Sequence, residues 1–307
     1  MTQPISFDAD TGAQWAWDST SLSAFEKCPR YYEYKHIQGW QPLLLSVHLR
    51  FGGAYATALE HFFKHLALGD DRDTATRKVI HEALISTWDR EMPEEDGVPW
   101  DSMHNTKTRE TLIRSIVWYL DHFEDDATQT VILANGKPAV ELSFKLPVED
   151  SIVFCGHLDR LVEYSGGQYV MDQKTTGTTI STKFFSDFTP DIQMSMYTWA
   201  GQIIFDIPVK GVIIDAAQIA VGFTRFERGF VHRTKPLLDD WFDSTMATIE
   251  RARKATLENH FPMNRTACGN YGGCEFRKIC SHSPEHRPNF LEADFVKMPR
   301  WDPAKSR

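Results

Sequence analysis

The stretch "GHLDRLVEYSGGQYVMDQKTTG", residues 156–177, places Asp159, Asp172 and Lys174 close together in the chain. Its apolar alternation reads as two strands joined at "SGGQ". Asp172 and Lys174 are two residues apart on one strand, so their side chains share a face. An antiparallel neighbour ending near Asp159 brings that carboxylate within reach of both. Two carboxylates and the carbonyl of Gln173 make an all-oxygen donor set, suited to Mg2+ or Mn2+ rather than zinc. A lysine beside such an ion can hold an attacking water or stabilise charge building on a phosphate. Taken alone, D-x-K is common and is more often a surface ion pair on a hairpin.

A second group with chemical potential is "CGNYGGCEFRKIC", which holds Cys268, Cys274 and Cys280. Five cysteines in 307 residues are too few for a disulfide framework. In a reducing compartment, clustered cysteines bind metal or do redox chemistry. Closed thiolate sites mostly need four ligands, and this segment supplies three. Cys155 lies in an apolar strand and reads as a buried core thiol.

The elements that must position these groups follow from periodicity. Helical spacing runs over about 52–68, closed by Gly69, then over 73–92 and 104–126, with the turn-rich "MPEEDGVPW" between the last two. From Val140 the pattern turns to strands: "AVELSFKLPV", "SIVFCGHLDRLVEY" and "GQYVMDQKT", joined through "VEDS" and "SGGQ". A helix follows over about 190–206, then the strands "VKGVIIDAAQIAV" and "RFERGFVHR", then a helix over 235–258. Residues 1–18 and 291–307 read as polar tails around one elaborated α/β domain, 19–290. Within it we expect a helical part at about 19–130, a sheet core at about 138–232, and a C-terminal helix with a cysteine clamp at about 235–282.

The net charge of −9 argues against coating nucleic acid with the whole surface, but leaves room for a local basic groove. No apolar run reaches the roughly 18 residues of a membrane span, and the N-terminus lacks the basic and apolar regions of a signal peptide. A cytoplasmic protein with no membrane partner is the expectation.

With these motifs in view, the chain resembles the PD-(D/E)XK nuclease superfamily, in particular its RecB-like exonuclease branch. There an Asp following a glycine on one strand, then D/E-x-K on the next, form the metal site; Gly156, Asp159, Asp172 and Lys174 fit that frame. A later helix carries Q-x-x-x-Y, matched by Gln193 and Tyr197 of "QMSMY" at i, i+4 spacing. The family's upstream helix, G-x-x-x-H-x-x-L-E, is matched by Gly52, Leu59 and Glu60, but Ala56 stands at the histidine position. Glu60 or His61 is the candidate to act in its place, and His61 reads equally as a surface residue. Glu141 matches a Glu of the family's first strand and is a peripheral candidate, read as structural more readily than catalytic. The resemblance further implies that Cys28, in "EKCPRYYEY", joins Cys268, Cys274 and Cys280 to hold a [4Fe-4S] cluster. Four thiolates suit structural zinc as well, and the C-x5-C-x5-C spacing departs from the family's usual C-x-x-C. Arg30, Tyr31, Thr175, Thr176, Arg277 and Lys278 are candidates for DNA contact.

The fold implied is α/β: a restriction-endonuclease-like core with a central mixed sheet flanked by helices, a helical N-terminal insertion and a cysteine-rich C-terminal segment. The function implied is a metal-dependent deoxyribonuclease acting on single-stranded DNA or DNA ends in recombination or repair. A stand-alone phage enzyme, with a recombination or helicase protein as candidate partner, fits the compact chain. The rival readings are a DNA-end-binding module of the same fold with weak catalysis, and a zinc-stapled interaction protein.

Overall fold

The structure is a computed structural model and describes residues 6–43, 46–89, 98–100, 104–149, 151–204 and 208–305. In chain order it begins with β1 (Ala16–Trp17), α1 (Ser19–Lys27), α2 (Pro29–Tyr32), a π-helical turn (Glu33–Ile37), β2 (Trp40–Pro42), α3 (Val47–Ala67) and α4 (Arg72–Ser86). Next come β3 (Trp88–Asp89), β4 (Val98–Pro99), α5 (Arg109–His122), β5 (Gln129–Thr130), β6 (Val140–Glu149), β7 (Ile152–Tyr164) and β8 (Gly167–Thr176). The rest comprises α6 (Thr182–Ser186), α7 (Ile192–Ile204), β9 (Val209–Ile219), β10 (Thr224–His232), α8 (Lys235–Leu257), α9 (Arg277–Cys280), α10 (Arg287–Asp294) and β11 (Phe295–Lys297).

The chain divides into two compact units. One gathers Met1–Leu44, Ser143–Gly156 and Thr234–Arg307; the other gathers Leu45–Leu142 and His157–Arg233.

In the second unit the strands run β7-β8-β9-β10, with β5 paired to β7. β7 and β8 are antiparallel, β8 and β9 parallel, β9 and β10 antiparallel. This is the expected mixed sheet flanked by helices. A parallel β8–β9 pair needs a crossover, and α6 with α7 supplies it. β9 is buried along nearly its whole length, as its apolar run requires when both faces are covered. α3, α4 and α5 share an apolar core of Phe51, Tyr55, Phe62, Val79, Ile116 and Tyr119, against which Ala217 and Ile219 of β9 pack. The spacing 51, 55, 59, 62 in α3 is the helical stripe that buries this face. α3 begins five residues before the expected start, and α5 is shorter than expected. Residues 90–91 of the expected helix over 73–92, 92–97 of the expected turn, Asp150 of "VEDS" and 205–206 of the expected helix over 190–206 lie outside the described residues.

In the first unit the described part of the expected N-terminal tail is packed. Trp17 is fully buried, β1 pairs in parallel with Val153 and Phe154, and Asp18 caps α1 by accepting from the Ser21 amide. The expected C-terminal tail also packs here: β11 pairs with β2, and the Trp301 indole donates to Asp18 at 3.0 Å. Both segments hold only short apolar runs, Trp15–Trp17 and Phe295–Val296, too brief to show a period, and each is held by contacts distant in the chain. Gly39 shows how close these segments lie. Its φ is +78°, and a Cβ there would sit 2.3 Å from the Met298 carbonyl oxygen.

His36 is buried in this unit, stacked on Tyr32, and neither ring nitrogen has a hydrogen-bond partner among the described residues. Burial, and secondarily Lys35, pushes its pKa down to about 3. The unfolded chain therefore binds a proton near pH 6.5 that the folded chain refuses until about pH 3. Stability is intact above pH 6.5 and falls as pH drops through that window, by about 1.4 kcal/mol per pH unit from this group. His36→Phe should flatten the acid limb of a pH–stability curve measured by urea unfolding. An unchanged acid limb would show that His36 does not set it.

Candidate active site

The residues that matter first are on β7 and β8. The paired ladder ends at Arg160↔Met171, and Asp159 and Asp172 are the next residues on each strand. The backbone amide of Gln173 donates to Asp159 Oδ2 at 3.1 Å. Asp172 is 1% exposed, and the Lys174 ammonium meets its Oδ2 at 2.5 Å. Lys174 also donates to Gln193 Oε1 at 3.0 Å, and Gln193 Nε2 donates to the Tyr197 hydroxyl at 2.9 Å. The i, i+4 spacing on α7 thus makes one chain: Asp172, Lys174, Gln193, Tyr197. All five expected catalytic residues lie within the second unit; four side chains are linked, and Asp159 is held by the Gln173 amide.

The electrostatics fit a divalent cation. Burial, and then the Asp172 charge, push Asp159 up to about 7. Burial likewise raises Asp172. Burial alone would lower Lys174, but Asp172 and Asp159 outweigh it and hold the ammonium charged. Two crowded carboxylates with one cation are a site that a further positive charge would relieve. Oxygen donors from Asp159, Asp172 and the Gln173 carbonyl suit Mg2+ or Mn2+. Among the described residues no group of three His, Cys, Asp or Glu side chains is arranged to hold an ion. Neither the expected Asp159, Asp172, Glu60 and His61 nor the four expected cysteines form such a group by their side chains.

The flanking candidates divide. Gly52 is explained by close approach: a Cβ there would lie 3.2 Å from Thr175 Oγ1, so α3 crosses β8 just past Lys174. Glu60 is paired with Lys64, one turn along α3. His61 Nδ1 lies 2.7 Å from Glu82 Oε2 on α4, which ties the imidazole to the helix pair. Glu141 carries φ +51°, a conformation uncommon outside glycine, and its charge raises both Asp159 and Tyr197.

The back of the sheet holds residues that the sequence reading missed. Gln173 points opposite to Asp172, and its Nε2 donates to Asp215 Oδ2 at 3.1 Å. Asp215, 1% exposed on β9, also accepts from the Tyr119 hydroxyl and from Arg228 Nε. Arg228 in turn grips Asp126 with two bonds, of 2.6 and 2.8 Å. Asp215 thereby anchors the residue whose amide holds Asp159. An Asp inside the apolar run "VIIDAAQIAV" was the available signal, because a buried charge demands partners.

In the first unit Cys28, Cys268, Cys274 and Cys280 line one cavity, with Lys27 and Arg277 at its wall. The Asn264 amide donates to Cys28 Sγ at 3.2 Å, and Cys274 N–H donates to the Cys268 carbonyl at 3.0 Å. Burial raises Cys274, and pushes Cys280 up to about 11. Cys155 is fully buried and directed at the Trp17 carbonyl, as a core thiol. Of the expected DNA contacts here, Arg30 is bonded to the Phe261 carbonyl and Glu33. Tyr31 accepts from Lys35, and Lys278 pairs with Asp294. Arg30 and Tyr31 are engaged within the unit, whereas the Lys278–Asp294 pair lies at its exposed surface. Arg277 remains exposed. In the second unit, Thr176 exchanges a hydrogen bond with Thr178.

The architecture is that of an α/β protein built on a mixed sheet, with acidic and basic side chains gathered on adjacent strands. The sequence model of the PD-(D/E)XK nuclease superfamily matches residues 17–281, and the chain belongs to that superfamily. Its members are nucleases, and they generally use Mg2+ or Mn2+. Among solved structures, the chain is similar to a crystal structure from Eubacterium rectale whose protein is provisionally named an exonuclease. Identity is 11%, the TM-score is 0.49, and the match covers 83% of this chain and 86% of that one. It is also similar to a protein named SSO0001, at 12% identity and a TM-score of 0.34, covering 89% and 87%. No curated protein matches the chain by sequence. Among the described residues no helix is long and apolar enough to cross a membrane.

Proposed function

We propose that this protein is a metal-dependent deoxyribonuclease of the RecB-like type, hydrolysing phosphodiester bonds in single-stranded DNA or at DNA ends. The single observation that carries this reading is the buried Asp172–Lys174 pair beside Asp159, with Lys174 continued to Gln193 and Tyr197. Asp159, Asp172 and the Gln173 carbonyl would hold Mg2+ or Mn2+, with Glu60 as an outer candidate. The ion supplies Lewis-acid stabilisation of the phosphate and lowers the pKa of water. Lys174, kept charged by Asp172, orients water for in-line attack and meets charge on the phosphate oxygens. Gln193 fixes the lysine head, and Tyr197 fixes Gln193, so the nucleophile's position does not drift. Incubation with end-labelled single-stranded DNA and Mn2+ tests the reading. Shortening of the strand is expected, and intact strand that still binds would leave only the DNA-end-binding module.

For the four cysteines we propose a [4Fe-4S] cluster, supported by the shared cavity and by an amide N–H directed at the Cys28 sulfur. With their pKa values raised by burial, Cys274 and Cys280 would bind a metal with release of protons. Such a cluster would tie residue 28 to residues 268–280 and stabilise the first unit. Anaerobic purification should yield about four iron and four sulfide per chain, with broad absorbance near 400 nm. Zinc without iron would favour the structural-zinc alternative and end the iron–sulfur reading.

A further inference from the structure

The hairpin that joins β9 to β10 ends in an apolar tip. Ile219 and Thr224 form its last paired positions, and residues 220–223 make the loop. Val221 is 60% exposed and Phe223 is 49% exposed. Between them Gly222 lies outside the left-handed region, and a Cβ there would meet nothing within 4 Å among the described residues. Neither crowding nor backbone conformation calls for glycine, so Gly222 contributes a bare backbone between two apolar side chains.

An exposed apolar residue is ordinary on its own. This tip differs in being held from behind. The Ala220 amide donates to the Phe223 carbonyl at 3.0 Å and closes the turn. Arg114 on α5 donates to the carbonyls of Ala220 and Val221 at 3.3 and 2.7 Å, with its guanidinium 5.0 Å from the Trp118 ring. Ser115, next on α5, shares a hydrogen bond with Thr224 at 3.0 Å. A tip pinned in this way loses little conformational freedom when something lands on it.

Its place in the sheet points to the occupant. On the parallel neighbour β9, Lys174 registers with Ala216 and Thr176 with Gln218. β9 therefore carries the tip past the strand end that holds the candidate catalytic lysine. Val221 lies five residues beyond Ala216, on the order of 15 Å at ~3.3 Å per residue. A stacked nucleic-acid strand covers that distance in about four nucleotides, at ~3.4 Å each. Arg225, exposed on β10, registers with Gln218 and so shares the face of Asp172 and Lys174. It stands between the lysine and the tip, where a strand running from one to the other brings its phosphates.

We propose that Phe223, with Val221 beside it, is a base-stacking contact for the nucleic-acid strand, and that Arg225 holds an intervening phosphate. The choice of nucleic acid as occupant rests on the nuclease reading. Every base has a π-face, so the contact tolerates any sequence. The tip holds the strand in line, a fixed few nucleotides from the cut, without reading its bases.

The test uses the full chain without divalent metal, so that the strand stays whole. Fluorescence anisotropy follows binding of two labelled strands of equal length, one natural single-stranded DNA and one abasic. Wild type, Phe223→Ala, Phe223→Trp and Arg225→Ala are compared. Phe223→Ala should bind the natural strand about tenfold more weakly and the abasic strand as wild type does. Phe223→Trp should restore binding of the natural strand. Arg225→Ala should weaken both strands alike and lower the salt slope by about one, whereas Phe223→Ala leaves the slope unchanged. Both side chains are exposed, so melting temperatures should match wild type. Equal loss by Phe223→Ala on both strands, or no loss on either, would overturn the stacking contact. So would a changed oligomeric state in Phe223→Ala with unchanged DNA binding, which would make the tip a protein contact. An unchanged slope in Arg225→Ala would remove the phosphate contact. A wild type that cuts DNA but binds it no better than Phe223→Ala keeps the nuclease reading and loses the stacking contact. Binding through Phe223 by a protein that never cuts DNA does the reverse.

Discussion

Asp172→Asn and Lys174→Met should each reduce Mn2+-dependent cleavage of end-labelled DNA by about a thousandfold or more, while single-strand binding is retained. The two variants should part company in stability. Asp172→Asn removes one of two crowded carboxylates and keeps the shape, so its melting temperature should stay near wild type or rise. Lys174→Met strips a 1% exposed carboxylate of the ammonium 2.5 Å away. An uncompensated buried charge costs about 3–5 kcal/mol, towards the lower end here because Asp172 can take up a proton. Cleavage by Asp172→Asn at the wild-type rate would remove this carboxylate from the proposed metal site. Equal stability of both variants would mean that the pair is not electrostatically coupled in the folded chain.

Asp215→Ala should be the most damaging single change on the other face of the sheet. Asp215 is the common acceptor for Tyr119, Gln173 and Arg228, and all three lose it at once. Stranding these donors in a buried layer should cost about 3–5 kcal/mol, a fall in melting temperature on the order of 10 °C. The effect should also reach the front face. Without its anchor the Gln173 peptide no longer presents its amide firmly to Asp159, 3.1 Å away. Cleavage should then drop at temperatures where the variant is still folded, with kcat falling more than KM rises. Asp215→Asn keeps an acceptor for the amide and hydroxyl donors and should recover part of both losses. A variant that melts with the wild type would show that this network contributes nothing to the fold.

The buried ion pairs differ in what they demand. Asp126, Asp215, Arg228 and Arg160 balance one another in charge and are held by aromatic faces, with Arg228 3.9 Å above Phe123 and Arg160 3.6 Å above Phe63. Such a layer is self-sufficient. The front face, with Asp159 and Asp172 against one lysine, is not balanced in this way. In this reading, the charge left over there is what a metal would answer.

What the sequence by itself determined was whatever short-range spacing controls. The strand period placed Asp172 and Lys174 on one face, the helical period aligned Gln193 with Tyr197, and the glycine turn at 165–167 made β7 and β8 neighbours. Those relations depend on a few residues of backbone geometry and survive without knowledge of the rest of the chain. The strands were legible for the same reason, whereas the mixed sheet was expected only from the family resemblance, because periodicity does not say which distant strand pairs in parallel. Tertiary structure alone decided which long-range partners each group meets. It gave Gln173 an Asp215 forty-two residues away, and it tied His61 to Glu82 on the next helix. It buried segments at both chain ends that looked like polar tails. A charge's worth depends on burial and on distant partners, and both are fixed only when the strands and helices close on one another.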